Sequence, residues 1–162
     1  MSRAAGTIRQ ASAADAEAIR TLTRHAYAKW VPLIGREPLP MTVDYAEAVR
    51  RDRIDLLEFD GEVAGLVELV AAADHVLIEN VAVAPDFQGR GLGRTLIEHA
   101  EAVAAALGAA TVRLYTNERF VENIRFYQHL GYRIDREEMW PAGTAVFMSK
   151  DLGIRRPRTG LR

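Results

Sequence analysis

The stretch Ala84-Pro-Asp-Phe-Gln-Gly-Arg-Gly-Leu-Gly-Arg94 carries glycines at 89, 91 and 93. Residues 76–84 before it read as an apolar strand, interrupted by Glu79 and Asn80 and ended by Pro85. Residues 91–107 set Leu92, Leu96, Ile97, Ala100, Val103, Ala104 and Leu107 on one helical stripe, and Gly108 stops it. A glycine-rich turn between a strand end and a helix start lets backbone N–H groups converge with no Cβ in the way. At a helix N-terminus, where the dipole favours negative charge, such groups hold phosphate. Arg90 and Arg94 add positive charge nearby.

Two common phosphate loops are excluded by spacing. A Walker loop needs Gly-Lys-Ser/Thr, and here Arg94-Thr95 follows Gly93. A dinucleotide fingerprint needs a third glycine three positions after the second. That position is Arg94 counted from Gly91 and Leu96 counted from Gly93.

Outward from the loop, residues 7–10 predict a first strand. Ser12 or Asp15 caps a helix running to about residue 30, with Ile19, Leu22, Ala26 and Tyr27 at helical spacing. Prolines 32, 38 and 40 make residues 31–41 a loop, and Thr42 caps a second helix over 43–50. Residues 54–59 and 62–72 predict two strands joined at Asp60-Gly61, a pair suited to the positive φ of a tight hairpin. Residues 111–116 predict a strand, 121–130 a helix closed by Gly131, and 132–138 with 145–150 a final antiparallel pair. This order predicts a mixed α/β (α+β) layer fold and not an alternating doubly wound sheet.

Here the loop acquires a resemblance. Gln88-x-x-Gly91-x-Gly93 is similar to the Gln/Arg-x-x-Gly-x-Gly/Ala signature of the GNAT family of N-acetyltransferases. The strand Asn80-Val-Ala-Val-Ala-Pro85 and the block Asn123-Ile-Arg-Phe-Tyr-Gln-His-Leu-Gly-Tyr132 match as well, so the resemblance covers residues 77–132. It implies a single domain over residues 1–152, with a mostly antiparallel twisted sheet flanked by helices and a splayed central parallel strand pair. It also implies acetyl-CoA as co-substrate, its pyrophosphate on the loop N–H groups and its pantetheine arm along the preceding strand. By position, those groups belong to Val81, Ala82 and Val83, then Gln88, Gly89, Arg90, Gly91, Leu92, Gly93 and Arg94, with Asn123 as a further contact.

Acetyl transfer to an amine needs the amine neutral before attack and a proton for the departing thiolate. The resemblance puts Tyr127 beside the CoA sulfur as the acid. A phenol of ordinary pKa about 10 is protonated at neutral pH. Asn123, four residues earlier on the same helix, shares its face. Glu79 is the candidate base, acting directly or through water. It lies inside an apolar strand, where a carboxylate needs a reason, and alternation sets it on the face of Val81.

On the acceptor side, the family pattern implies a pocket built by the first two helices, their connection and the last hairpin. Here that selects Tyr27, Trp30, Arg36, Met41 and Tyr45, with Trp140 opposite and Asn117 lining the same cleft. Aromatic rings and one arginine suit a small, partly apolar amine or amino acid.

Composition narrows the remaining classes. With 162 residues, 49% hydrophobic and 27% charged, one soluble domain is expected. A net charge of −1 gives no overall pull toward nucleic acid or membrane. The absence of cysteine excludes disulfides, thiolate metal sites and a thiol nucleophile. The four histidines show no metal-ligand spacing, so no metal is expected. No leader-like apolar stretch opens the chain, and a cytoplasmic location is the expectation. Residues 153–162 carry four arginines among Gly, Pro and Thr and are read as a basic, flexible tail. Assembly stays open between a monomer and a homodimer. The reading leads to an N-acetyltransferase for a small amine. A protein or peptide N-acetyltransferase and a non-catalytic acetyl-CoA-binding module are the alternatives.

Overall fold

In the computed structural model, which describes residues 6–141 and 143–153, hydrophobic alternation and turn chemistry produce seven strands and five helices among those residues. The strands are β1 (Thr7–Gln10), β2 (Arg53–Phe59), β3 (Glu62–Ala71), β4 (His75–Val83), β5 (Thr111–Asn117), β6 (Arg133–Trp140) and β7 (Gly143–Asp151). The helices are α1 (Ala16–Tyr27), α2 (Val31–Ile34), α3 (Tyr45–Arg51), α4 (Leu92–Ala106) and α5 (Val121–His129). The tail expected beyond Gly153 lies outside the described residues.

One sheet runs in the order β1-β2-β3-β4-β5-β7-β6. Among the described residues only the β4–β5 pair is parallel. The β2–β3 hairpin turns at Asp60 and Gly61, both with positive φ, as the Asp-Gly pair requires. On one face of the sheet, α1 and α3 bury Ile19, Leu22, Tyr45 and Ala48 against Ile54, Leu56, Leu66 and Ala82. On the other, α4 buries Leu96, Ile97, Ala100 and Ala104 with Val67, Leu69, Ile78, Val112 and Leu114, and Tyr127 of α5 joins this cluster. Each cluster removes its aliphatic side chains from water at about 25 cal/mol per Å² of apolar surface.

Three local expectations are corrected. Residues 31–41 are not plain loop: α2 forms a single turn, and a 3₁₀ turn follows at Leu39–Thr42. Pro32 sits in the first turn of α2, where its missing N–H removes no helical bond. The cap of α3 is Asp44, whose carboxylate accepts from the N–H groups of Ala46 and Glu47. Thr42 instead donates its hydroxyl proton to the Leu39 carbonyl. Leu107, at the end of the α4 stripe, is exposed, because the helix ends one residue before it.

Two irregularities in β4 create the cleft. Glu68 of β3 pairs with Asn80, but Leu69 pairs with Ile78, leaving Glu79 as an extra residue. Such a bulge re-aims side chains locally. Asn80 turns toward α1 and bonds Tyr27, whereas Val81 packs with the α4-side cluster. Glu79 reaches Tyr115, which leaves the face occupied by Leu114. Glu79 and Val81 therefore do not share a face, contrary to strict alternation. The second irregularity is the parallel ladder, which ends at Ile78–Leu114. Beyond that point β4 and β5 are no longer paired with each other, and the sheet opens between them.

Candidate active site

The glycine loop lies where β4 leaves the sheet and α4 begins. Gly89 and Gly91 have φ of 79° and 77°, a left-handed conformation natural to glycine. Among the described residues no turn or cap bond uses the backbone N–H groups of Gly89, Arg90, Gly91, Leu92, Gly93 or Arg94. They are donors without acceptors at a positive helix end, which fits an anionic pyrophosphate. A Cβ at Gly89 or Gly91 would meet nothing within 4 Å, so the space in front of the loop is open. Gly93 is different: a Cβ there would stand 3.3 Å from the Phe126 ring, so this glycine lets α4 approach α5 closely.

The loop side chains contribute less than their backbones. Leu92 is buried in the core. Arg90 lies over the Phe87 ring, 5.1 Å from its centroid. Arg94 pairs with Glu98 on the helix surface at 2.9 Å. Gln88 donates its side-chain amide to the Val83 carbonyl at 3.1 Å, bracing the strand-to-loop corner.

Two cavities meet at the opening between β4 and β5. One, on the loop side, is bordered by Trp30, Val83, Gln88, Gly93 and Phe126. The other, of about 160 Å³, extends over the α1–α3 face past Glu79, Tyr115 and Asn117. Its volume is an order of magnitude above the roughly 10–15 Å³ that one water needs, enough for a small organic molecule. Tyr27, Val81, Asn123 and Tyr127 line both. Asn123 and Tyr127 reach this junction because both face it from α5, one turn apart. The Tyr127 hydroxyl donates no hydrogen bond among the described residues, and burial pushes its pKa well above the usual phenol value, so it keeps its proton at neutral pH.

Three carboxyls line the cavity over the α1–α3 face: Glu79, Glu68 and Glu37, the last paired with Arg24. Glu79 accepts a hydrogen bond from the Tyr115 hydroxyl at 2.5 Å. Tyr115 is itself wedged against Trp140 and Phe147. Burial first, then the Glu79 carboxylate, pushes the Tyr115 pKa up and keeps that hydroxyl a donor. The second carboxyl is Glu68, only 2% exposed, whose Oε1 has no hydrogen-bond partner among the described residues. Burial first, then a side-chain hydrogen bond shared with Asp52 and the negative charges of Asp52 and Glu79, pushes its pKa up to about 8. Neither Glu68 nor Tyr115 is among the residues expected from sequence. The signal for Glu68 was nonetheless present, since it interrupts the apolar run Leu66-Val67-Glu68-Leu69 as Glu79 interrupts β4.

The acceptor-side expectations divide. Tyr27, Arg36, Tyr45, Asn117 and Trp140 all line the cavity over the α1–α3 face. Tyr27 donates to Asn80 Oδ1 at 2.8 Å, and Tyr45 donates to the Pro40 carbonyl at 2.6 Å. Trp30 lies instead on the loop-side cavity, stacked on Phe120 with centroids 4.4 Å apart. Met41 lines neither cavity: it is buried under α1, where its carbonyl accepts from Arg24 at 3.1 Å.

The mouth of the cavity over the α1–α3 face is bridged. Arg119 donates to the Leu33 carbonyl at 3.1 Å, tying α2 to the β5–α5 connection. A Cβ at Gly143 of β7 would lie 3.7 Å from the Arg36 guanidinium and 3.3 Å from the Asn117 amide. The segment after α2 thus reaches the last hairpin across the opening. Among the described residues no group of three His, Asp or Glu side chains is arranged to hold a metal, and no helix is long and apolar enough to cross a membrane.

This arrangement has known counterparts. The Acetyltransferase (GNAT) family pattern matches residues 17–132, and the chain belongs to that family, whose members are acyl-CoA-dependent N-acetyltransferases. Part of the chain is 33% identical, over 73 residues, to the ribosomal protein bS18-alanine N-acetyltransferase of Escherichia coli (strain K12), covering 45% of this chain and 49% of that protein. It is 40% identical over 86 residues to mycothiol acetyltransferase of Nocardia farcinica, covering 52% and 27%. The matches thus span about half or less of these relatives' length. Among solved structures, the PaiA N-acetyltransferase of Thermoplasma acidophilum in complex with coenzyme A superposes with a TM-score of 0.80 at 19% identity, covering 91% of this chain and 99% of that one. The E. coli ribosomal-protein-S18-alanine N-acetyltransferase superposes with a TM-score of 0.78 at 23% identity, covering 94% and 97%. At these identities the likeness concerns the fold.

Proposed function

We propose that the chain transfers the acetyl group of acetyl-CoA to the primary amine of a small molecule or amino acid, by direct attack with both substrates bound. The observation that carries this reading is the meeting of two cavities at Tyr127 and Asn123, with free loop N–H groups behind one and a carboxylate at the edge of the other. In this reading the N–H groups of Gly89 through Arg94 hold the pyrophosphate, and the backbone of Val81, Ala82 and Val83 pairs with the pantetheine arm. Filling both cavities at once would supply much of the rate through proximity. Glu79, held by Tyr115, takes the ammonium proton, and Tyr127 supplies a proton to the departing thiolate.

The bridged mouth between Arg36 and Gly143 favours a small acceptor over an extended polypeptide. The similarity to an enzyme named for a ribosomal protein favours the opposite, a peptide amine. A panel of small amines, amino acids and N-terminal peptides, with thiol release as the readout, separates the two. Turnover of small amines with silent peptides is expected. Peptide turnover alone would overturn the small-molecule reading. Silence throughout, with acetyl-CoA bound, would leave a binding module.

A further inference from the structure

Resting on the acetyl-transfer reading, we propose that the acceptor carries a second cationic nitrogen, anchored by Glu68 at the inner end of the acceptor cavity while its primary amine faces Glu79 and Tyr127. The acceptor class is then a small diamine or a related compound with two basic nitrogens.

Glu68 is a buried carboxyl on the cavity wall with an oxygen left over: its Oε1 has no partner among the described residues. A buried polar oxygen left unpaired costs about 1–3 kcal/mol, and more if charged. The surrounding donors are engaged elsewhere. Tyr27 gives its proton to Asn80, Tyr45 to the Pro40 carbonyl and Tyr115 to Glu79, while the Asn80 amide faces the Tyr45 oxygen. Asp52 shares a side-chain hydrogen bond with Glu68, while Oε1 has no donor among the described residues, and a ligand in the cavity would supply one.

Charge selects the kind of partner. Glu79 faces Glu68 from β4, and Asp52 stands behind it after α3. The Arg51 guanidinium on the same wall lies beside Asp52, 3.4 Å from its carboxylate. Arg36 is at the far mouth, against Gly143 and Asn117. Glu37, also on the wall, is paired with Arg24 at 2.6 Å. The inner end is therefore acidic, and a cation with N–H donors answers both its charge and its free lone pairs. Position separates the two carboxyls by role. Glu79 stands at the opening beside β5, whereas Glu68 is on β3, one strand further from it. The inner carboxyl thus suits an anchoring group and the outer one the reacting amine. The raised pKa keeps a proton on Glu68, shared with Asp52, at neutral pH, and an arriving cation would displace it.

The test compares α,ω-diaminoalkanes with monoamines of equal chain length, in the wild-type protein and in Glu68→Gln. Wild type should favour the diamine by roughly 10- to 100-fold in kcat/KM, mostly through KM, the scale of one charge-assisted hydrogen bond. Glu68→Gln should bring that ratio close to unity. Equal kcat/KM for the two amines in wild type, or a preference that survives the substitution, would overturn the proposal. A second measurement needs no variant. Calorimetry of wild type with CoA, at neutral pH in buffers of different ionisation enthalpy, should show the diamine releasing one more proton than the monoamine. Identical proton release would also overturn it. Failure of every amine to be acetylated would contradict the transfer reading instead, and calorimetry would still report on the anchor.

Discussion

Single residues carry the chemistry, and their surroundings decide how they behave. Tyr127 is buried at the junction with its proton held, so Tyr127→Phe should lower kcat about 100-fold, the scale of losing a general acid. Acetyl-CoA affinity measured by calorimetry should stay within about twofold, since Tyr127 is proposed to donate a proton and not to bind the phosphates. Glu79→Gln should depress the rate most at low pH, where more of the acceptor amine is protonated, and a pH–rate profile reads this directly. Glu68 should mark stability. Its folded pKa is about 8 against an ordinary 4.5, so the native state binds one proton more than the unfolded chain between those values. Stability should then fall as pH rises through that window, and denaturant titrations of Glu68→Gln should show a shallower fall. Glu79 and Glu68 also mark what sequence can reveal. Both interrupt apolar strands, but only Glu79 adjoins the recognisable loop pattern. Glu68 lies in a strand buried on both faces, where no alternation says which way a side chain points.

At the scale of elements, the glycine loop divides into two functions that one motif does not distinguish. Gly91 is a conformational glycine with open space around it. Gly91→Ala should cost about 1 kcal/mol from the left-handed backbone alone, measurable by thermal unfolding. Gly91→Glu should in addition abolish acetyl-CoA binding, because it sets a carboxylate where the pyrophosphate is proposed to lie. Gly93 is a packing glycine against Phe126, which sits between Asn123 and Tyr127 on α5. Gly93→Ala should displace α5 and reduce kcat more than acetyl-CoA affinity; the reverse order would contradict this division. The helix–strand order and the hairpin at Asp60-Gly61 were legible because periodicity and turn chemistry are local. The bulge at Glu79 was not, because a bulge exists only in the pairing of β4 with β3. Asp44 as the true cap of α3 was missed for a nearer reason: Thr42 two residues earlier has equal capping chemistry, and only the backbone path decides between them.

For the molecule as a whole, the parallel pair that parts after Ile78–Leu114 is the feature on which everything else depends. It lets α5, packed on one side of the sheet, present Tyr127 and Asn123 to a cavity on the other. The family pattern in residues 77–132 led to that opening, because the loop and the α5 block flank it. The acceptor cavity was only partly legible. Arg36, Tyr45 and Asn117 line that cavity, but Trp30, in the 3₁₀ turn that continues α1, turned to the loop side, and Met41, in the 3₁₀ turn Leu39–Thr42, into the core. The proposed transfer requires both cavities to be filled when the acetyl group moves. Initial-velocity kinetics with the best acceptor, varying both substrates, test it most directly. Intersecting double-reciprocal lines are expected, with no acetylated protein by intact mass after incubation with acetyl-CoA alone. Parallel lines together with an acetylated protein would contradict it.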